Sequence, residues 1–138
     1  MAPPPHLLLV SPTTGYQAEQ FRRAAEKLAI QLTLATNRCD QLDDPWGDQA
    51  VAVKFESPKA ALPELRKRGP FQGVVACGDR GALLAAQLAP PLALAFHPVR
   101  AAQASHDKFT FRQILAEAGL PSPWFRRERL DADPAALA

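Results

Sequence analysis

A three-layer α/β fold with a mostly parallel sheet of four or five strands is predicted for this 138-residue chain by three observations. Apolar runs at residues 7–10 and 73–76, and a mostly apolar third segment at 51–55, suit strands covered on both faces. Segments with helical apolar spacing lie between and after them. Gly and Pro mark the joins, and the resulting order is strand, helix, strand, strand, helix, strand, helix. That order lays helices on both faces of a parallel sheet.

Leu7 to Val10 open the sheet, and Ser11, Pro12, Thr13, Thr14 and Gly15 form the loop after it. Thr14 and Gln17 have capping-box spacing for a helix whose apolar face is Ala18, Phe21, Ala25 and Leu28. Leu32 and Leu34 alternate with Thr33 and Ala35 as a second strand, and the polar run at 36–47 is a long loop. The third strand, 51–55, ends at Ser57 and Pro58, a cap followed by a first-turn proline. Pro63 removes a helical hydrogen bond, so a short turn from Pro58 and a second start near Pro63 are expected, running to Arg68. After Gly69-Pro70 come a fourth strand at 73–76, a tight turn at Cys77, Gly78 and Asp79, and a helix from Arg80 to Leu88. Pro90 and Pro91 end that helix. Residues 92–96 are the possible fifth strand, and 98–104 form one helical stretch.

The segment from His106 to Phe125 is the most sharply punctuated. Asp107 is placed to cap a helix, and Lys108 projects from its first turn. Phe111, Ile114, Leu115 and Ala118 make an apolar stripe, with Arg112, Gln113 and Glu117 largely on the other side. Gly119 permits a left-handed exit, and Pro121 and Pro123 hold the chain extended toward Trp124 and Phe125, which lead a candidate strand. The chain divides into a domain at 1–105 and, at 106–138, a linking helix with the start of a second domain.

The length allows one domain with a real core. A hydrophobic fraction of 47% and a charged fraction of 22% are those of a globular chain. Net charge is only +2, and the basic clusters at Arg66, Lys67, Arg68 and at Arg126, Arg127, Arg129 lack aromatic interleaving and a long basic face. Nucleic acid is therefore not an expected partner. No signal peptide or membrane span is indicated, and Cys39 and Cys77 have no metal-ligand spacing, which points to a reducing cytoplasm.

Ligands of open parallel sheets sit outside the carboxyl ends of the strands. Those loops hold Ser11, Thr13, Thr14 and Gly15 on one side and Gly78, Asp79 and Arg80 on another. The first offers hydroxyls before a helix start, although it is neither a P-loop nor G-x-G-x-x-G, and ordinary capping is its simpler role. The second offers polar contacts, with Asp79 also a cap for its own helix. No catalytic or metal constellation emerges. Ser105, His106 and Asp107 are contiguous and point apart, and Asp43, Asp44 and Asp48 lack calcium-loop spacing. His6 and His97 have no obvious partner.

The run D-K-F-T-F-R-Q-I-L-A-E-A-G-L-P-S-P-W-F, Asp107 to Phe125, resembles the junction between the Rossmann-like N-terminal domain and the ATP-grasp domain of ATP-dependent carboxylate ligases. Biotin carboxylase, glycinamide ribonucleotide synthetase, carbamoyl phosphate synthetase and amino-acid ligases share its pattern. The resemblance implies carboxylate activation by ATP and magnesium as an acyl phosphate, followed by transfer to an amine or similar nucleophile. It implies a nucleotide contact for Lys108 and small-molecule substrate contacts for the loop from Ser11 to Tyr16. The family's second nucleotide lysine, its glycine-rich lid and its magnesium ligands would lie beyond Ala138. Neither ATP nor magnesium is thus expected to be held by this chain alone, and no turnover is expected, because a transferring phosphoryl group needs metal and several cations. The exit segment would lack its covering domain, so apolar exposure or pairing with another chain is expected, and a homodimer stays open. The alternative is a freestanding, non-catalytic Rossmann-like binding or interaction module. A dinucleotide-dependent oxidoreductase is disfavoured by the missing glycine fingerprint.

Overall fold

The computed structural model describes residues 3–12, 16–37, 49–129 and 131. Four strands, β1 His6–Val10, β2 Gln31–Thr36, β3 Ala50–Ala52 and β4 Gly73–Ala76, form one sheet in the order β3-β2-β1-β4. Every neighbouring pair is parallel. The α-helices are α1 Tyr16–Lys27, α2 Leu62–Arg68, α3 Gly78–Leu88, α4 Val99–His106 and α5 Lys108–Glu117.

The period-two geometry of the strands sorts the apolar residues into two cores. Leu8 and Val10 of β1 and Ala35 of β2 point to one face, where Leu65 of α2 and Leu84, Ala85 and Leu88 of α3 cover them. Leu9, Leu32 and Leu34 point to the other, against Ala18 and Ala25 of α1. Unbroken apolar runs thus follow from burial on both sides, and β1, hydrogen-bonded to β2 and β4, sits at the centre.

The two-proline helix start is as expected: a 3-10 turn at Pro58–Ala61 hands over to α2 at Leu62. Ser57 takes the cap position there without a side-chain cap bond. The third strand is shorter than 51–55. Val53 still donates to the Thr36 carbonyl at 2.8 Å, but Ser57 N–H turns back to the Lys54 carbonyl at 2.9 Å and bends the chain away.

Residues 92–96 form no fifth strand. The N–H groups of Leu92 and Leu94 both return to the Ala89 carbonyl, at 3.2 and 2.9 Å, and Ala93 is left-handed with φ 56°. Those donors finish α3 and are not free for a ladder, while Leu92 and Phe96 still pack against the core. Trp124 and Phe125 likewise join no strand among the described residues. The capping-box residue Thr14, Cys39 and the acidic run Asp43, Asp44 and Asp48 lie outside the described residues.

His6, which had no evident partner in the sequence, is only 7% exposed. Its Nε2 pairs with Thr33 Oγ1 at 2.9 Å, its ring lies 4.6 Å from that of Phe71, and its backbone N–H donates to Gln72 Oε1. Burial holds its pKa below the ordinary 6.5, against a smaller opposing effect of a bond with the Pro70 backbone. The unfolded chain therefore takes up this proton first as pH falls. Stability due to His6 is complete above 6.5 and declines as pH drops from there toward the depressed folded value. Urea midpoints measured across that interval should fall with pH in the native chain, and His6→Phe should flatten this part of the decline.

Candidate functional site

Strand order reverses about β1: the chain leaves it toward β2 and β3 and returns to its other side as β4. The crevice outside the ends of β1 and β4 is thus the switch point where such folds take ligands. Ser11 closes β1, buried at 3% exposure, with its N–H donating to the Ala35 carbonyl at 3.0 Å. Beside it, Cys77 N–H donates to the Val10 carbonyl at 2.9 Å and leads into Gly78. Gly78 has φ +70°, so a side chain would be strained there even though the space around it is open. The structure brings Ser11 next to the Gly78 and Asp79 turn. Thr13, Thr14 and Gly15 fall outside the described residues.

Asp79 is not the cap of α3. The helix begins at Gly78, two residues before the expected Arg80, and its cap position is Cys77, which makes no side-chain cap bond. Asp79 instead lies exposed in the first turn, where its charge suits the positive helix end. Arg80 reaches across to Glu56 at 3.0 Å and lies 5.5 Å from the centre of the Phe55 ring, which ties the start of α3 to the loop after β3. Cys77 is a free, buried thiol whose pKa is pushed up by burial, which makes it a poor nucleophile.

Lys108 belongs to a different cleft. Asp107 caps α5 as its position implies, accepting the Thr110 N–H at 2.7 Å. Backbone and side-chain bonds with Thr110 are the first causes that hold its carboxyl below the ordinary value. That cap fixes the first turn from which Lys108 projects. After Glu117, Gly119 takes φ +67° and Leu120 N–H returns to the Leu115 carbonyl at 2.9 Å. The exit segment then lies back along α5. Phe125 meets Phe109 edge-on at 5.6 Å, and the Arg127 guanidinium sits 4.9 Å from the centre of the Phe109 ring. Between helix and exit segment is a cleft of about 250 Å³ lined by Lys108, Phe109, Arg112, Phe125, Arg126 and Arg127.

Four cations and no carboxylate line this cleft. Arg126 pairs with Glu128 at 2.6 Å, and Trp124 beside it is 80% exposed. The cation set suits an anion such as phosphate, whereas nothing in the lining suits magnesium. Among the described residues no three His, Cys, Asp or Glu side chains gather to hold a metal, and no helix is long and apolar enough to cross a membrane. Arg112 was legible as the residue one turn after Lys108. Arg126 and Arg127 were not, because nothing in the local pattern says that the chain folds back.

Sheet, helices and switch-point crevice define a Rossmann-like α/β domain. The crystal structure of L-amino acid ligase from Bacillus licheniformis has this fold, with a TM-score of 0.72 and 21% sequence identity. The likeness covers 96% of this chain and 36% of the ligase, so the chain spans little more than a third of that protein's length. No protein-family model and no curated protein matches the sequence.

Proposed function

We propose that this chain is the N-terminal domain of an ATP-grasp carboxylate ligase of the group that includes glycinamide ribonucleotide synthetase, biotin carboxylase and carbamoyl phosphate synthetase. The observation that carries the reading is the fold likeness to an amino-acid ligase over 96% of the chain, and it is supported by this chain's own capped α5 with its Gly-Leu-Pro exit. In this role the switch-point loops, with Ser11, Gly78 and Asp79, face the small-molecule substrate. Lys108 meets the phosphates of the nucleotide.

Bound ATP with magnesium would supply the phosphoryl group that activates a carboxylate. The residues of this chain position and neutralise: the Asp107 cap orients the first turn of α5, and Lys108 brings one positive charge to the phosphates. Magnesium ligands and the remaining cations must come from elsewhere in the enzyme, since one lysine cannot balance a transferring phosphoryl group. The 138-residue chain is accordingly inactive by itself.

The whole open reading frame that encodes this chain, expressed and supplied with magnesium, ATP and pairs of amino acids, should release ADP and phosphate. The 138-residue chain assayed in parallel should release none. A whole product that neither hydrolyses ATP with any carboxylate nor contains further domains would favour the freestanding binding module.

A further inference from the structure

We propose that the cleft between the last turn of α2 and the 3-10 turn Pro90–Leu92 binds a small carboxylate carried on a compact apolar body, with Arg66 as its anchor. Its place in the fold separates it from the switch-point crevice. Pro70 and Phe71 precede β4 whereas Gly78 follows it, so the two sites lie at opposite ends of that strand. The cleft measures about 450 Å³, inside the roughly 300–1,000 Å³ typical of small-molecule sites. Leu65, fully buried, and Pro70, Phe71, Pro91 and Leu92 give it apolar walls. Among the described residues Arg66 is the one charged side chain in the lining.

Three basic residues end α2, and they are not equivalent. Lys67 pairs with Glu64 at 2.6 Å, whereas Arg66 reaches across the cleft to the Pro91 carbonyl at 3.2 Å. That bond holds the guanidinium at the rim and engages one of its five N–H donors. The backbone offers an anion little else. The N–H groups of Gly69, Leu92 and Ala93 are taken by the carbonyls of Leu65, Ala89 and Pro90, at 3.0, 3.2 and 3.0 Å, and Pro70 and Pro91 have none. An entering anion therefore meets a single fixed cation whose fork matches the two oxygens of a carboxylate. One guanidinium balances the single charge of that group and not the larger charge of a phosphate monoester. The walls are set before a ligand arrives: the Phe71 ring lies 4.6 Å from that of His6, and Phe71 and Leu92 pack against the core. Little ordering cost remains at binding.

The probe is phenylpropionate, titrated into the full chain and followed by amide chemical shifts. Saturable shifts should appear at Gly69, Phe71, Leu92 and Ala93 and not at Gly78 or Asp79. Phenylpropanol, which keeps the apolar body and lacks the charge, should bind about ten-fold more weakly, the loss expected for a charged hydrogen-bonding partner. Propionate, which keeps the charge and lacks the ring, should also bind more weakly. Arg66→Gln should weaken phenylpropionate about ten-fold, and Arg66→Lys less, because the charge stays while the fork is lost. Arg68→Gln, outside the lining, should leave binding unchanged. The comparison of acid with alcohol needs no variant, so it decides the matter even if a substitution unfolds the chain. Absence of saturation, equal binding of the alcohol, or shifts centred on Gly78 and Asp79 would overturn the proposal. Shifts of the same four amides that depend on protein concentration without any probe would overturn it too, since a second copy of the chain would then fill the cleft. Neither nucleotide nor turnover enters the measurement, so failure here leaves the ligase reading standing, and failure of the ADP-release assay leaves this cleft standing.

Discussion

Leu8→Ala should destabilise the chain by about 2–5 kcal/mol, the range for truncating a buried leucine. Leu8 is fully buried in the central strand, beside Thr33 of β2 and Val74 of β4 in register. Its side chain belongs to the core that α2 and α3 share, so the hole would open where three elements meet. Neighbours on a hydrogen-bonded strand cannot move in to fill it without breaking a ladder, which places the expected cost toward the upper part of the range. Against a total stability of about 5–15 kcal/mol for a domain, such a loss is severe. Urea denaturation would show it as a lower midpoint with little change in slope. Leu28→Ala is the matched control: at 68% exposure Leu28 should give a change of at most about 0.5 kcal/mol. Equal effects at the two leucines would refute the burial argument.

Gly81→Val should cost about 1–3 kcal/mol through overpacking, and it should do so at the candidate crevice. A Cβ at Gly81 would lie 3.0 Å from the Val10 carbonyl oxygen and 3.6 Å from Pro12 Cδ. The close atom belongs to the backbone of the central strand, and the same oxygen accepts the Cys77 N–H. It cannot swing aside as a side chain would, so α3 and β1 must separate. Alanine at this position should cost less, because its gain in helix propensity of about 1 kcal/mol over glycine offsets part of the clash. The discriminating measurement is the order of urea midpoints, native above valine with alanine nearer the native chain. Hydrogen exchange at Cys77 N–H should quicken in the valine variant if the strand and helix part there.

The strands were readable because burial on both faces leaves a mark that survives in one dimension. Leu7 to Val10 and Gly73 to Ala76 carry no polar interruptions, and they became the central strand β1 and its parallel neighbour β4 at the sheet edge. Cap chemistry was readable where one residue supplies it: Asp107 bonds the Thr110 N–H, and Gly119 takes the left-handed turn. Competition for donors was not readable. Residues 92–96 are apolar enough for a strand, yet the N–H groups of Leu92 and Leu94 are taken by the Ala89 carbonyl at the end of α3, and that of Ala93 by the Pro90 carbonyl. Asp79 has the chemistry of a cap, but Gly78 lets the helix begin earlier and carries Asp79 into the first turn.

The two candidate sites divide in the same way. By itself the sequence determined the α/β class, the alternation of buried segments and the single lysine that a capped helix presents, because each depends on spacing within a few residues. Only the tertiary structure decided that Ser11 and Gly78 lie at one crevice and that Arg126 and Arg127 close a cleft over Lys108 and Arg112. The first depends on strand order, a property of hydrogen bonds between segments distant in the chain. The second depends on Phe125 and Arg127 settling on Phe109, contacts between residues about four helical turns apart in sequence whose meeting no local periodicity encodes.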